Sequence, residues 1–142
     1  MAGNKLAFAT LAGAVTSFIL GYALYGVLLV GFFAANGGSA TGVMKEPVNL
    51  VAIGLGQIPF ALLMALIISR WGNAKSIAGG AKVGAMIGFL MALGMDVTMY
   101  GSSNLSNLTA TLVDPFVSLL LSAITGAVIG LVLSKGSDAA AA

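Results

Sequence analysis

The chain has 142 residues, of which 59% are hydrophobic and only 7% charged, with a net charge of +2. Soluble domains carry roughly 25% charged residues, so this composition excludes a water-exposed fold of ordinary surface, and a mean hydropathy of +1.08 agrees. There is no cysteine and no histidine, which removes disulfides, thiolate sites and the commonest general base and metal ligand.

A membrane span needs about 20 mostly apolar residues. No charge lies between Lys5 and Lys45, between Glu46 and Arg70, or between Asp114 and Lys135. Four spans follow, over 6–33, 49–69, 80–100 and 112–134. The fold class expected is all-α, a four-helix transmembrane bundle forming one domain over 1–135, with a disordered tail at 136–142. The first span is longer than the bilayer requires, so it should tilt or protrude. Its apolar run also far exceeds the short core of a cleavable signal peptide. Lys5, Arg70, Lys75, Lys82 and Lys135 fall on one side and Lys45 on the other. The positive-inside rule then places both termini in the cytoplasm of a bacterial inner membrane. The basic residues are scattered between helices, so a nucleic-acid partner is not expected. Trp71 beside Arg70, with Tyr22 and Tyr100, reads as a set of interface anchors.

An internal repeat is one reading of the chain. Gly13-Ala-Val-Thr-Ser-Phe18 parallels Gly84-Ala-Met-Ile-Gly-Phe89, Leu24-Tyr25-Gly26 parallels Met99-Tyr100-Gly101, and Pro59-Phe60 parallels Pro115-Phe116. Two parallel helical hairpins would result. Chance similarity among Gly/Ala/Phe-rich segments is the other reading.

Every span carries small residues at i, i+4 spacing, which share one helix face. They are Ala9, Gly13, Ser17 and Gly21; then Ala61, Ala65 and Ser69; then Gly80, Gly84, Gly88 and Ala92; then Ser118, Ser122, Gly126 and Gly130. Lipid offers little hydrophobic drive between helices, so close backbone approach at such stripes holds bundles together. The pattern does not separate packing within one chain from packing between copies. Extended toward the outer side, the stripes meet Tyr25, Gln57, Asp96 and Asp114. An intramembrane acid costs about 2.5–3.5 kcal/mol at a helix centre and defaults to a functional hypothesis. Asp96 sits nearer the outer end, where the cost is smaller, and no basic residue is placed to pair with it. It must be protonated, be hydrogen-bonded by Tyr25, Gln57 or Tyr100, or hold a cation. Asp114 precedes Pro115 and reads first as an N-cap with proline at N1. Leu105, Leu108 and Leu112 would then line a short interfacial helix. Pro59 should bend the second span and free the carbonyl of Leu55.

Met91, Met95 and Met99 are also at i, i+4 spacing. Thioethers bind Cu(I), but without Cys or His they read better as adaptable packing residues. No nucleophile–base pair or phosphate loop is present, so no catalytic residue, cofactor or metal site is expected. The membrane-embedded Glu that small multidrug carriers use in their first span is absent. The four spans and the Gly21-Tyr-Ala-Leu-Tyr-Gly26 segment resemble an uncharacterised family of small four-helix bacterial membrane proteins. That family's aromatic-Tyr-Ser-Pro pattern stands here as Leu24-Tyr-Gly-Val, and the resemblance implies no activity or site. The leading expectation is a non-enzymatic packing or accessory subunit, associating with itself or other membrane subunits in the bilayer. The alternative is a proton- or cation-coupled channel or carrier using Asp96.

Overall fold

The computed structural model describes residues 2–71 and 74–135. The tail expected at 136–142 lies outside the described residues. The chain is helical throughout its spans and packs as a four-helix bundle, with no strand among the described residues. Helix α1 (Ala2–Gly21) continues as a π-helical segment (Tyr22–Leu28), followed by the short α2 (Val30–Ala35). Helix α3 (Leu50–Leu66) continues as a second π-helical segment (Ile67–Trp71). Helices α4 (Ile77–Ser102) and α5 (Leu108–Ser134) complete the bundle. Four helical stretches, Gly3–Leu28, Leu50–Trp71, Ile77–Ser102 and Leu108–Ser134, are long and apolar enough to cross a bilayer.

The helix starts follow from side-chain capping. Asn49, Ser76 and Asn107 each accept a hydrogen bond from the backbone N–H three residues on, at 3.0 Å, satisfying one of the orphan donors of a first turn. Asn107 thereby corrects the expectation for Asp114. The last helix begins at Leu108, so Asp114 is an interior residue and Pro115 lies inside the helix. No separate interfacial helix precedes it; Leu108 and Leu112 belong to α5 itself. Hydroxyls within the spans are satisfied locally. Thr10, Thr16 and Thr98 each donate to the carbonyl four residues back at 2.7–2.8 Å, the low-cost solution where no water is available.

Helix α5 is the organising element. It packs most extensively on α4 and also against α1, which in turn covers α3. The order across the bundle is therefore α4, α5, α1, α3. The two hairpins are not packed alike, since α4 with α5 is far more intimate than α1 with α3. Glycine explains the difference. Any Cβ on Gly80 would run into the Gly126 carbonyl, and one on Gly84 into the Ser122 carbonyl. A Cβ on Gly126 would meet the Gly80 carbonyl, and one on Gly130 that of Ser76. The two backbones touch along this seam, as small residues permit. On α1, a Cβ at Gly13 would approach Ile129 at 2.7 Å.

The bundle is closed at one end and split at the other. At the end near Lys5, Trp71 and Lys135, Ala9, Met64, Ala65, Ile68, Ile129 and Leu133 form the buried core. At the opposite end two cavities open between the helices, and the two loops there tie the helices together. Gly38 N–H donates to the Leu105 carbonyl at 3.1 Å and Ala40 N–H to that of Asn104 at 3.0 Å. Asn107 donates to Asn36 twice, backbone to backbone at 3.1 Å and Nδ2 to Oδ1 at 3.2 Å. Gly38 lies so close to the Asn104 carbonyl that no side chain fits there.

Candidate functional site

The split half contains two cavities separated by a wall that includes Gln57 and Leu121. The first, about 430 Å³, opens between α3 and α4, two helices with little direct contact. Gln57 and Phe60 form one side, Met91, Met95 and Asp96 the other, and Asp114 and Ser118 on α5 the floor. The second, about 600 Å³, lies between the π-helical end of the first span and the start of α3. Phe18, Tyr22, Tyr25, Ile53 and Gln57 are among its walls. Gln57 and Leu121 line both.

Each of the four polar residues singled out from the sequence therefore faces this region. Asp96 on α4 and Asp114 on α5 line the same cleft beside the α4–α5 seam. Placing Asp114 inside the helix rather than at its cap is what allows this arrangement. One oxygen of Asp96, Oδ2, is fully shielded and has no hydrogen-bond partner. Lys82 shares α4 with Asp96 but is roughly four turns, about 21 Å, along the axis, too far to neutralise it. The expected bonds from Tyr25 and Gln57 to Asp96 go elsewhere. Gln57 Nε2 turns back to the Ile53 carbonyl at a long 3.4 Å. Tyr25 Oη meets Ser118 Oγ at 3.2 Å, and Ser118 Oγ reaches Asp114 Oδ2 at 3.5 Å. Tyr25, Ser118 and Asp114 thus form a loose hydroxyl–carboxylate chain through the wall between the cavities.

The sequence marks Ser118 as a packing residue only; its bond to Tyr25 depends on the distance between the first span and α5, which spacing along one helix does not reveal. The π-helical segment carrying Tyr25 has no counterpart in the hydropathy pattern either. Leu29 N–H bonds the Leu24 carbonyl at 2.7 Å, five residues back, so the wider turn reorients Tyr22 and Tyr25 relative to a regular helix. Such bulges recur at functional sites.

The remaining small residues are placed along the closed half and the seam. Gly13 and Ser17 are buried, Ser17 bonding Thr125 hydroxyl to hydroxyl at 3.1 Å. Gly21 borders the larger cavity. Gly80, Gly84 and Gly88 face Ser122, Gly126 and Gly130. Met91 and Met95 line the smaller cavity; Met99 does not. No group of three His, Cys, Asp or Glu side chains gathers among the described residues. A pair of acids with hydroxyl and amide neighbours suits a proton or a loosely held monovalent cation better than a multidentate metal centre, which needs more ligands.

Comparison with protein-family models, with curated proteins and with solved structures gives no match.

Proposed function

We propose that the protein is a small proton- or monovalent-cation-coupled membrane channel or carrier, with Asp96 and Asp114 as the charge-bearing pair. The observation that carries this reading is the shielded, unpartnered Oδ2 of Asp96 in an open cleft that Asp114 also lines. An uncompensated charge there is costly. Two adjacent acids relieve that cost by sharing a proton or by holding a cation. Either occupant can leave through the cleft. Tyr25 and Ser118 extend the polar path into the neighbouring cavity. The basic end would face the cytoplasm of a bacterial inner membrane, by the positive-inside rule. The two acids then lie in the outer half.

The accessory-subunit reading rests on small-residue faces free to meet another chain. In this bundle the small-residue faces on α4 and α5 are occupied by each other. That leaves less close-approach surface for a partner, and the transport reading takes precedence. Flux of protons, Na⁺ and K⁺ into proteoliposomes, with Asp96→Asn and Asp114→Asn beside the unsubstituted chain, tests the proposal. Flux that both substitutions leave undiminished would remove these acids from any pathway.

A further inference from the structure

We infer that the larger cavity is a binding site for a lipophilic organic cation, whose apolar body lies against Phe18, Tyr22 and Ile53 and whose charge is drawn toward the Asp96–Asp114 pair. The inference deepens the transport reading by naming a substrate class, and it rests on the same two acids being the charged site.

Three features of the cavity carry it. First, its size, about 600 Å³, falls in the range that encloses a drug-sized molecule. Second, its walls are mostly apolar and aromatic, with Tyr25 and Gln57 as the polar end. Aromatic faces attract organic cations once water is removed. Third, no lysine or arginine borders either cavity, while the Asp114 carboxyl group stands behind Tyr25 and Ser118 and Asp96 lines the same cleft as Asp114. The field across the wall therefore favours a positive guest and opposes an anion of the same shape. Gln57 and Leu121, shared by both cavities, are the side chains that a guest would have to displace to approach the acids.

Gly21 gives the sharpest test. It borders the cavity, and a Cβ there meets only Leu121 Cδ1, at 3.9 Å. A leucine at this position has its root in ordinary contact and its branches in the cavity. Binding of tetraphenylphosphonium to the purified chain in lipid nanodiscs would be measured against tetraphenylborate, which has the same shape and opposite charge. Saturable binding of the cation alone is expected, weakened by about tenfold or more in Gly21→Leu and in Asp96→Asn, as loss of room or of one charge contact implies. Ile53→Phe fills the same space from α3 and serves if Gly21→Leu does not fold. Equal binding of both ions, or a cavity-filling variant that folds and binds the cation unchanged, would overturn the inference. Proton flux that depends on Asp96 in a chain that binds no tetraphenylphosphonium would overturn the cavity site alone. Saturable, Asp96-dependent cation binding without any flux would support the cavity site and defeat the transport reading.

Discussion

Tyr25 and Ser118, on the first and last spans, meet hydroxyl to hydroxyl at 3.2 Å, and this contact is the polar link between the two cavities. Removing the hydroxyl in Tyr25→Phe keeps the ring and its packing on Phe33. A hydrogen bond of this kind contributes about 0.5–1.5 kcal/mol net, so thermal stability in detergent should fall only slightly. Ion flux should fall several-fold if protons use the hydroxyl chain. Full flux with unchanged pH dependence would show that the route runs through the Asp96 cleft without Tyr25.

Gly84 lies against the Ser122 carbonyl and Gly126 against that of Gly80 across the α4–α5 seam, and neither has room for a side chain. Overpacking a tight interface costs typically about 1–3 kcal/mol. Gly84→Leu meets rigid backbone, so its effect should lie at the upper end of that range or beyond. The check is thermal unfolding of the purified variant beside Gly94→Leu, a position on the same helix with open space around it. Similar stability in the two variants would contradict the seam.

Asn107 has two tasks, capping α5 through Ala110 N–H and bonding Asn36 across the loops. Loss of an N-cap costs about 0.5–2 kcal/mol. Asn107→Ala should reach that cost and also speed hydrogen exchange at the amides of Gly38 and Ala40, which bond the facing loop. Asn107→Asp keeps the cap and removes the Nδ2 donor, so it should affect the loop amides more than the helix.

Ser17 and Thr125 share a buried hydroxyl contact at 3.1 Å in the closed half. Interhelical hydrogen bonds in membrane proteins average about 0.6 kcal/mol in double-mutant cycles. Ser17→Ala, Thr125→Ala and the double substitution should yield a coupling of about that size by unfolding in mixed micelles. A zero coupling would mean that each hydroxyl satisfies its own helix backbone instead.

Much of this architecture is legible in the sequence because hydropathy and i, i+4 spacing report directly on spans and faces. Gly80, Gly84 and Gly88 announce a close approach, but every span has such a stripe, so the pairing of α4 with α5 is not readable from any one helix. Asp114-Pro115 has the chemistry of a helix start, and only the stronger cap at Asn107, set by contact with Asn36, moves the start upstream. That shift turns Asp114 from a cap into Asp96's neighbour. The π-helical turns at Tyr22–Leu28 have no clear local signature, since they depend on how the first span packs. The loop clasp was equally hidden, because its bonds are between backbone groups of Gly-, Ser- and Asn-rich segments that are polar in any conformation.

We propose that Asp96, in the open cleft it shares with Asp114, bears the transported charge. The most direct measurement is proton and monovalent-cation flux in proteoliposomes for the unsubstituted chain and for Asp96→Asn, which keeps the side-chain shape and removes the ionisable group. Measurable flux is expected, lowered by about tenfold or more in Asp96→Asn, as loss of a site worth about 1.4 kcal/mol or more implies. Flux equal in the two proteins, or none in the unsubstituted chain under a proton or Na⁺ gradient of either direction, would contradict it.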